Sequence, residues 1–431
     1  MIKVLQSLHK IVLSIINLNL IMYLANPFRG LRPEGEEASS VSLPSTDHLS
    51  EELIRSYKEN NPWSYLNILS PDYKDTKTES ELEVSAKERF ELMKNNSVLC
   101  KDEAESFYIY RISTEGHSQI GMIAAAKISN YDDLHIRGHE KIYVENSQKK
   151  FEQIKNLNAQ IGPIYVVYPD EEALDALLKK QTNAEPTYSF EALDECQHEL
   201  WVVNDEKKVL QIRELFNAVN RTYVADGHHR IAALSRFAEY RKHQNHNHTG
   251  EEPYNYFMMA LFPKSQARIL DYNRLVKDLY GYSTSDFIDL IEKNFLVKKK
   301  NSSFKPNELK TFGMYLDKKW YSITLKGGLD EDLAQLMNLD INILHHYLLE
   351  PILDIGDPRH DTRIDFITGF HGLESIEKKV DSGEAEVGFS FFPTPMEHVI
   401  NFADKNLTMP PKSTWFNPKP LDGLVVYDFE N

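Results

Sequence analysis

The sequence predicts a layered α/β to α+β protein. Three observations carry this. Gly162-Pro163-Ile164-Tyr165-Val166-Val167-Tyr168 and Tyr254 to Phe262 are continuous apolar runs of strand length, the pattern of strands buried on both faces. Before and between them, Asn146 to Asn158, Glu171 to Lys180 and Val209 to Val219 carry helical spacing, so strands and helices alternate along the chain. At Arg221-Thr222-Tyr223-Val224-Ala225-Asp226-Gly227-His228-His229-Arg230 a short apolar strand ends abruptly in a turn, and Ile231-Ala232-Ala233-Leu234 then starts a helix.

Taken in order, the first 25 residues are ambiguous. Ile11 to Ala25 is apolar after Lys3 and Lys10, as in a signal peptide, yet Asn17 and Asn19 interrupt it and it is too short to span a bilayer. Because Met22 opens an ordinary N-terminus, residues 1–21 are expected to be an upstream extension in preference to a signal-like segment. Asn26 to Pro33 is irregular, and Arg29 and Arg32 flank Gly30, either as a surface loop or as a backbone nest that helps hold an anion. Glu51 to Glu59 and Glu81 to Asn95 read as solvated helices. Ser106 to Ile112 and Gln119 to Ile128 are strands joined by a hairpin turn at Thr114-Glu115-Gly116-His117. Gly138-His139-Glu140 follows, without the second His a zincin requires. Beyond the central turn, Arg241 to Glu252 is a polar loop whose His243, His246 and His248 match no ligand spacing. Asp271 to Val276 leads into a helix, and a second region begins near Ser283 with a hairpin, Phe312 to Leu316 and Trp320 to Leu325. Asn338 to Glu350 is an amphipathic helix expected to stop at Pro351. Arg363 to Thr368 and Val387 to Phe392 are strands, with Gly372 to Val380 helical between them. The tail, Met409 to Pro420, is a proline-stiffened strap carrying Lys412, Ser413, Thr414 and Lys419.

The formal net charge of −16 argues against nucleic acid as a partner, because phosphate neutralisation needs a basic face. The two cysteines, Cys100 and Cys196, lie far apart in no motif, which supports neither a disulfide framework nor a zinc site and fits a reducing cytoplasm. No stable membrane association is expected.

The chemistry concentrates at the strand-to-helix turn. Asp226-Gly227 favours a tight turn, since glycine accepts positive φ freely. A helix start offers unpaired N–H groups and the positive end of the dipole, a seat for an anion. Arg230 suits a phosphate or carboxylate fork, and His228 or His229 can move a proton near neutral pH. The plain alternative is a satisfied turn, with a histidine on backbone and Arg230 in an ion pair.

From Met22 on, the chain resembles the family called domain of unknown function 1015. The marks are Asn26-Pro27-Phe28-Arg29-Gly30-Leu31-Arg32-Pro33, Gly138-His139-Glu140, Gly162-Pro163-Ile164, His198-Glu199-Leu200-Trp201, Ala225 to Arg230, Asp271-Tyr272-Asn273-Arg274 and Pro410 to Pro420. The Asp-Gly-His-His-Arg core also resembles the nucleotide-phosphate turn of the ParB and sulfiredoxin superfamily, which includes free serine kinases. That resemblance implies a mixed-sheet α/β core, residues 22–270, and an α+β C-terminal half, residues 271–431. It implies that Gly227, His228, His229 and Arg230 bind phosphate, that Asp226 orients a histidine or holds Mg²⁺, and that Glu140 is the base. Sulfiredoxin chemistry is not expected, because the turn has no cysteine.

The expected activity is phosphoryl transfer on serine or phosphoserine, as kinase or phosphatase, with ATP or ADP and Mg²⁺ as cofactors. A nucleotide- or effector-binding regulator that consumes nothing is the alternative. Glu140, His229 and Asp226 are the expected catalytic residues; Gly227, His228, Arg230, Arg29, Lys412, Ser413 and Thr414 are expected to bind phosphate or nucleotide. The strap is expected beside the turn, and Asp47, Asp271 and Asp357 are the reserve carboxylates.

Overall fold

Apolar runs become the inner strands of a mixed sheet, and the charged segments become helices around it. The computed structural model describes residues 23–46, 49–69, 79–327 and 339–430; residues 1–21 and Asp47 lie outside them. Helices Glu51–Asn60 (α1) and Glu79–Asn95 (α2) precede the hairpin Phe107–Thr114 (β1) and His117–Lys127 (β2). Then come Ile136–Arg137 (β3), Val144–Leu157 (α3), Ile164–Tyr168 (β4), Glu172–Gln181 (α4), Tyr188–Glu191 (β5) and Gln197–Val203 (β6). Glu206–Phe216 (α5), Thr222–Asp226 (β7), His228–Gln244 (α6) and Tyr256–Pro263 (β8) complete this part. These strands form one eight-stranded sheet in the order β3-β7-β4-β8-β2-β1-β6-β5. The pairs β3/β7 and β4/β8 are parallel and the others antiparallel. Every residue of β4, and every residue of β8 after Tyr256, is buried, which is why neither run alternates.

A second sheet follows. Tyr272–Val276 (β9) leads through a turn to Thr284–Ile291 (α7), and Phe295–Lys300 (β10), Thr311–Leu316 (β11) and Lys319–Leu325 (β12) come next. With Ile364–Thr368 (β13) and Val387–Ser390 (β14) they make a six-stranded antiparallel sheet, β10-β12-β11-β14-β9-β13. It has its own core, including Phe287, Phe295, Phe312, Ile343, Leu348 and Phe389. The chain then returns. Helix Met396–Asp404 and the strap put Val399, Phe402, Met409, Phe416 and Leu421 into the core of the first sheet.

Pro351 does not end its helix as expected. Asp340–Leu344 (α8) passes into a π-helical turn, His345–Leu349, and on into Glu350–Leu353 (α9), with Pro351 inside. Proline has no N–H to give and its ring crowds the carbonyl one α-turn back. The wider ladder, with the Glu350 N–H donating to the His345 carbonyl, makes the room.

The centre of the first sheet is tightly packed at Gly121, where an added Cβ would stand 2.0 Å from the Leu261 carbonyl oxygen. Gly121→Ala therefore forces β2 and β8 apart and is expected to cost about 1–3 kcal/mol, read as a lowered urea midpoint. An unchanged midpoint would mean that the two strands are less closely packed than described.

Candidate functional site

The strand-to-helix turn is built by three local features. The register of β7 against β4 slips between Val224 and Asp226, a bulge that ends the pairing and leaves the Asp226 side chain exposed. Gly227 has φ +102, in the region that penalises any side chain, and a Cβ there would meet Ile164 Cδ1 at 3.2 Å. Helix α6 starts at His228 with no side chain capping it, so its first turn keeps N–H groups for a ligand.

His228 itself turns inward and is buried. A Cβ on Gly138 would lie 3.0 Å from its Cδ2, so only glycine leaves ordinary room for the ring. Its Nε2 accepts the backbone N–H of His139 at 3.2 Å. The ring proton must therefore sit on Nδ1, 3.2 Å from Glu140 Oε2. Burial by itself would raise the Glu140 pKa, but the neighbouring imidazoles, His228 first, outweigh it and bring the carboxyl down to about 2. The His139 ring meets His228 edge-on at 4.6 Å, and burial, with the second imidazole beside it, pushes its pKa down to about 3, so it is neutral. His229 turns the other way. Its Nδ1 accepts the Tyr143 N–H at 3.4 Å, which leaves the proton on Nε2, and burial moves its pKa below the ordinary histidine value.

Glu140, Asp226 and His229 border one cavity of about 300 Å³ with Lys412, Thr414 and Lys419 of the strap. Lys419 Nζ is 3.3 Å from Asp226 Oδ1 and 4.2 Å above the Trp415 ring. Lys412 lies over Tyr272, at a residue with φ +57, and its carbonyl accepts Arg274 Nη2 at 2.9 Å. Arg274 is fully buried between Phe366 and Phe391, and burial pulls its pKa down to about 9. The Met409 N–H donates to the His139 carbonyl at 2.8 Å, so the strap is pinned to the same backbone that holds His228. Lys141, Tyr143 and Tyr272 also line the cavity. Sequence reasoning missed them as site residues; the adjacency of Lys141 and Tyr143 to Glu140, and the family mark holding Tyr272, were the available signals.

Several expected residues lie elsewhere. Arg230 gives Nη1 to the Pro163 carbonyl at 2.7 Å and Nη2 to Asp422 at 3.4 Å, outside this cavity. Successive helical residues point about 100° apart, so His229 facing the cavity sends Arg230 round to the entry of β4. Arg29 borders a separate cavity of about 500 Å³ and donates Nε to the Asp102 carbonyl, because the opening segment pairs along another part of the sheet. Ser413 is buried, its hydroxyl spent on the Pro410 carbonyl. Asp271 is buried against Lys305 and Asn273, and Asp357 is forked onto Arg359.

Of the two carboxylates at the cavity, Asp226 is the more exposed, and Glu140 faces His228. Elsewhere among the described residues, ligand atoms of Asp194, Cys196 and His198 lie within 4.8 Å of one another. Tyr110 and Asp194 already occupy the two His198 nitrogens at 2.7 and 3.4 Å, and burial pushes the Cys196 thiol up to about 12. Hydrogen bonding within the β5–β6 hairpin and to Tyr110 of β1 accounts for the group.

The chain belongs to the family described as Protein of unknown function (DUF1015), which it matches over residues 25–342. No curated protein matches it. Among solved structures it is similar to a free serine kinase in complex with AMP, at 13% identity and a TM-score of 0.34 over 70% of this chain and 92% of that one. It is similar also to SbnI with C-terminal truncation from Staphylococcus aureus (10% identity, TM-score 0.36, 70% and 85%). A conserved hypothetical protein from Pyrococcus furiosus is a third (11% identity, TM-score 0.32, 70% and 93%). These are distant likenesses of fold.

Two outcomes follow for the turn. Because the Glu140 pKa is depressed in the folded protein, its stabilising effect is full above its ordinary 4.5 and is lost as pH falls toward about 2. His228→Gln should therefore open a gap in urea midpoint to the wild type that is constant above about pH 4.5 and closes toward pH 2; a gap independent of pH would refute the pairing. Arg230→Ala should lower stability by about 1.5–3 kcal/mol, the usual worth of hydrogen bonds to a charged group, as measured by denaturant unfolding.

Proposed function

We propose that this protein transfers a phosphoryl group on a small hydroxy amino acid, serine or phosphoserine. One observation carries it: a single cavity gathers an ionised, partly exposed carboxylate, Glu140, the uncapped start of α6, and Lys412, Thr414 and Lys419. Phosphoryl transfer asks for little more than positioning and charge, with donors on the phosphoryl oxygens and a base for the hydroxyl.

The N–H groups at the start of α6, with Lys412, Lys419 and the Thr414 hydroxyl, receive the phosphoryl oxygens. Glu140, held ionised by His228, takes the proton of the substrate hydroxyl in the kinase direction or of water in the phosphatase direction. His229, neutral with its proton on Nε2, donates a hydrogen bond to a phosphoryl or leaving oxygen without losing that proton. ATP or ADP with Mg²⁺ would supply or receive the phosphoryl group in the kinase direction, and Asp226 is the carboxylate placed to hold the ion. Mg²⁺ commonly keeps several waters and uses one or two carboxylates, which fits this single exposed group. The aromatic walls, Tyr143, Tyr272, Trp415 and Phe416, favour a second use of the cavity, binding a nucleotide as a regulator without turnover. The acidic net charge favours small molecules over nucleic acid, and no helix among the described residues is long and apolar enough to cross a membrane. A cytoplasmic setting is proposed on the cysteine usage.

The test is direct. Purified protein is incubated with Mg²⁺ and serine plus ATP or ADP, and separately with phosphoserine. Glu140→Gln should keep KM and lower kcat by about 10²–10⁴, as for loss of a general base. Lys412→Ala should instead raise KM. No product in either assay overturns the proposal; tight nucleotide binding without product favours the regulator.

A further inference from the structure

Asp271-Tyr272-Asn273-Arg274 runs into β9, and of these four residues only Tyr272 lines the cavity. We propose that Arg274 is a positioning residue for the phosphoryl seat: through the Lys412 carbonyl, its guanidinium holds the strap so that the Lys412 ammonium stands at the cavity. The proposal rests on the reading of this cavity as a phosphoryl seat.

Lys412 is a residue that has to be held. Its φ of +57 is in the left-handed region, which a residue with a side chain adopts only at a cost. Three contacts fix this stretch of the strap. Arg274 Nη2 donates to the Lys412 carbonyl at 2.9 Å, the Thr394 hydroxyl donates to the Ser413 carbonyl at 2.8 Å, and Ile269–Leu270 pairs antiparallel with Trp415–Phe416. Arg274 is the one that reaches Lys412 itself. The Lys412 ammonium then lies 5.5 Å from the centre of the Tyr272 ring, on the cavity wall.

A cation is an expensive group for such a brace. The Arg274 side chain is fully buried, with its guanidinium 4.7 Å from the Phe366 ring, 5.3 Å from Phe391 and 5.9 Å from Tyr272. Its Nη1 is taken by the Tyr272 carbonyl at 2.6 Å. No carboxylate among the described residues pairs with it; Asp271, three positions earlier, is held by Lys305 and Asn273. A buried charge without a counter-charge lowers stability, and an apolar side chain of similar size fills such a space at less cost. Packing alone therefore does not call for an arginine here. An anion at Lys412 would supply the missing negative charge, because Lys412 and Arg274 lie against the same Tyr272 ring. The arginine thus fits a brace that serves an anion seat.

Calorimetry on the full chain with inorganic pyrophosphate tests this, in a double-mutant cycle. Lys412→Ala is expected to weaken binding by about tenfold to a hundredfold, the worth of a charge-assisted hydrogen bond. Arg274→Met should lose most of the same factor, and the double variant should bind no more weakly than Lys412→Ala alone. Arg274→Lys should lose only part of it, since an ammonium can reach the carbonyl without the fork. Thermal melting establishes that each variant is folded; if Arg274→Met is not, Arg274→Lys is carried through the same cycle, with a partial loss that disappears beside Lys412→Ala. Wild-type affinity in the Arg274 variant, or losses that multiply in the double variant, would refute the positioning role while the phosphoryl seat stands. If the wild type itself does not bind pyrophosphate, the seat and the positioning role fall together.

Discussion

The site depends on one buried imidazole. His228 is fixed at both nitrogens, accepting from the His139 backbone on one side and facing Glu140 on the other. A buried polar ring left without partners would cost more than either contact is worth alone, so the geometry on its two sides is coupled. Gly138 must be glycine-like to let the ring in, the His139 backbone must run past Nε2, and Glu140 must come to Nδ1. The same imidazole that locks the turn thereby keeps a partly buried carboxylate ionised. Structure and candidate chemistry share a single contact.

From that point the architecture extends in two directions. The His139 carbonyl takes the Met409 N–H, which brings the end of the chain back over the turn. Past Met409 the strap is held from the other side by Arg274, a cation buried among aromatic rings that donates to the Tyr272 and Lys412 carbonyls. Arg274 belongs to β9, so the second sheet supports Lys412 from behind. The two sheets have separate cores, and the strap crosses between them with its apolar side chains in the first core and its cation held by the second sheet. This accounts for a long, proline-stiffened tail: it spans a fixed distance with little conformational freedom to lose.

Motifs of this kind compress several jobs into adjacent letters. In Gly227-His228-His229-Arg230 the glycine supplies a backbone angle, one histidine goes into the core, the next faces the cavity, and the arginine binds the entry of β4. All are polar or small, so composition does not separate them. The divergence comes from the roughly 100° step between helical residues, which spreads neighbours round the helix whatever their chemistry. Arg29 and Ser413 diverge for a related reason, since each is satisfied by a nearby backbone carbonyl.

The mixed α/β character, the hairpins, the β7 strand, the Gly227 turn and the start of α6 were legible in the sequence, because periodicity, apolar run length and glycine are local signals. So was the membership of the family; Glu140, Asp226, His229, Lys412 and Thr414, singled out in the sequence, border one cavity. Three-dimensional packing decided the rest. It placed His228 inside and Arg230 outside the cavity, added Tyr143 and Tyr272 to its walls, and carried an α-helix past Pro351 by a π-helical turn. Each of these rests on contacts between residues tens to hundreds of positions apart, or on which face of a helix meets the core. A sequence states what each residue can do, while the direction its side chain takes is set by partners that only the folded chain brings near.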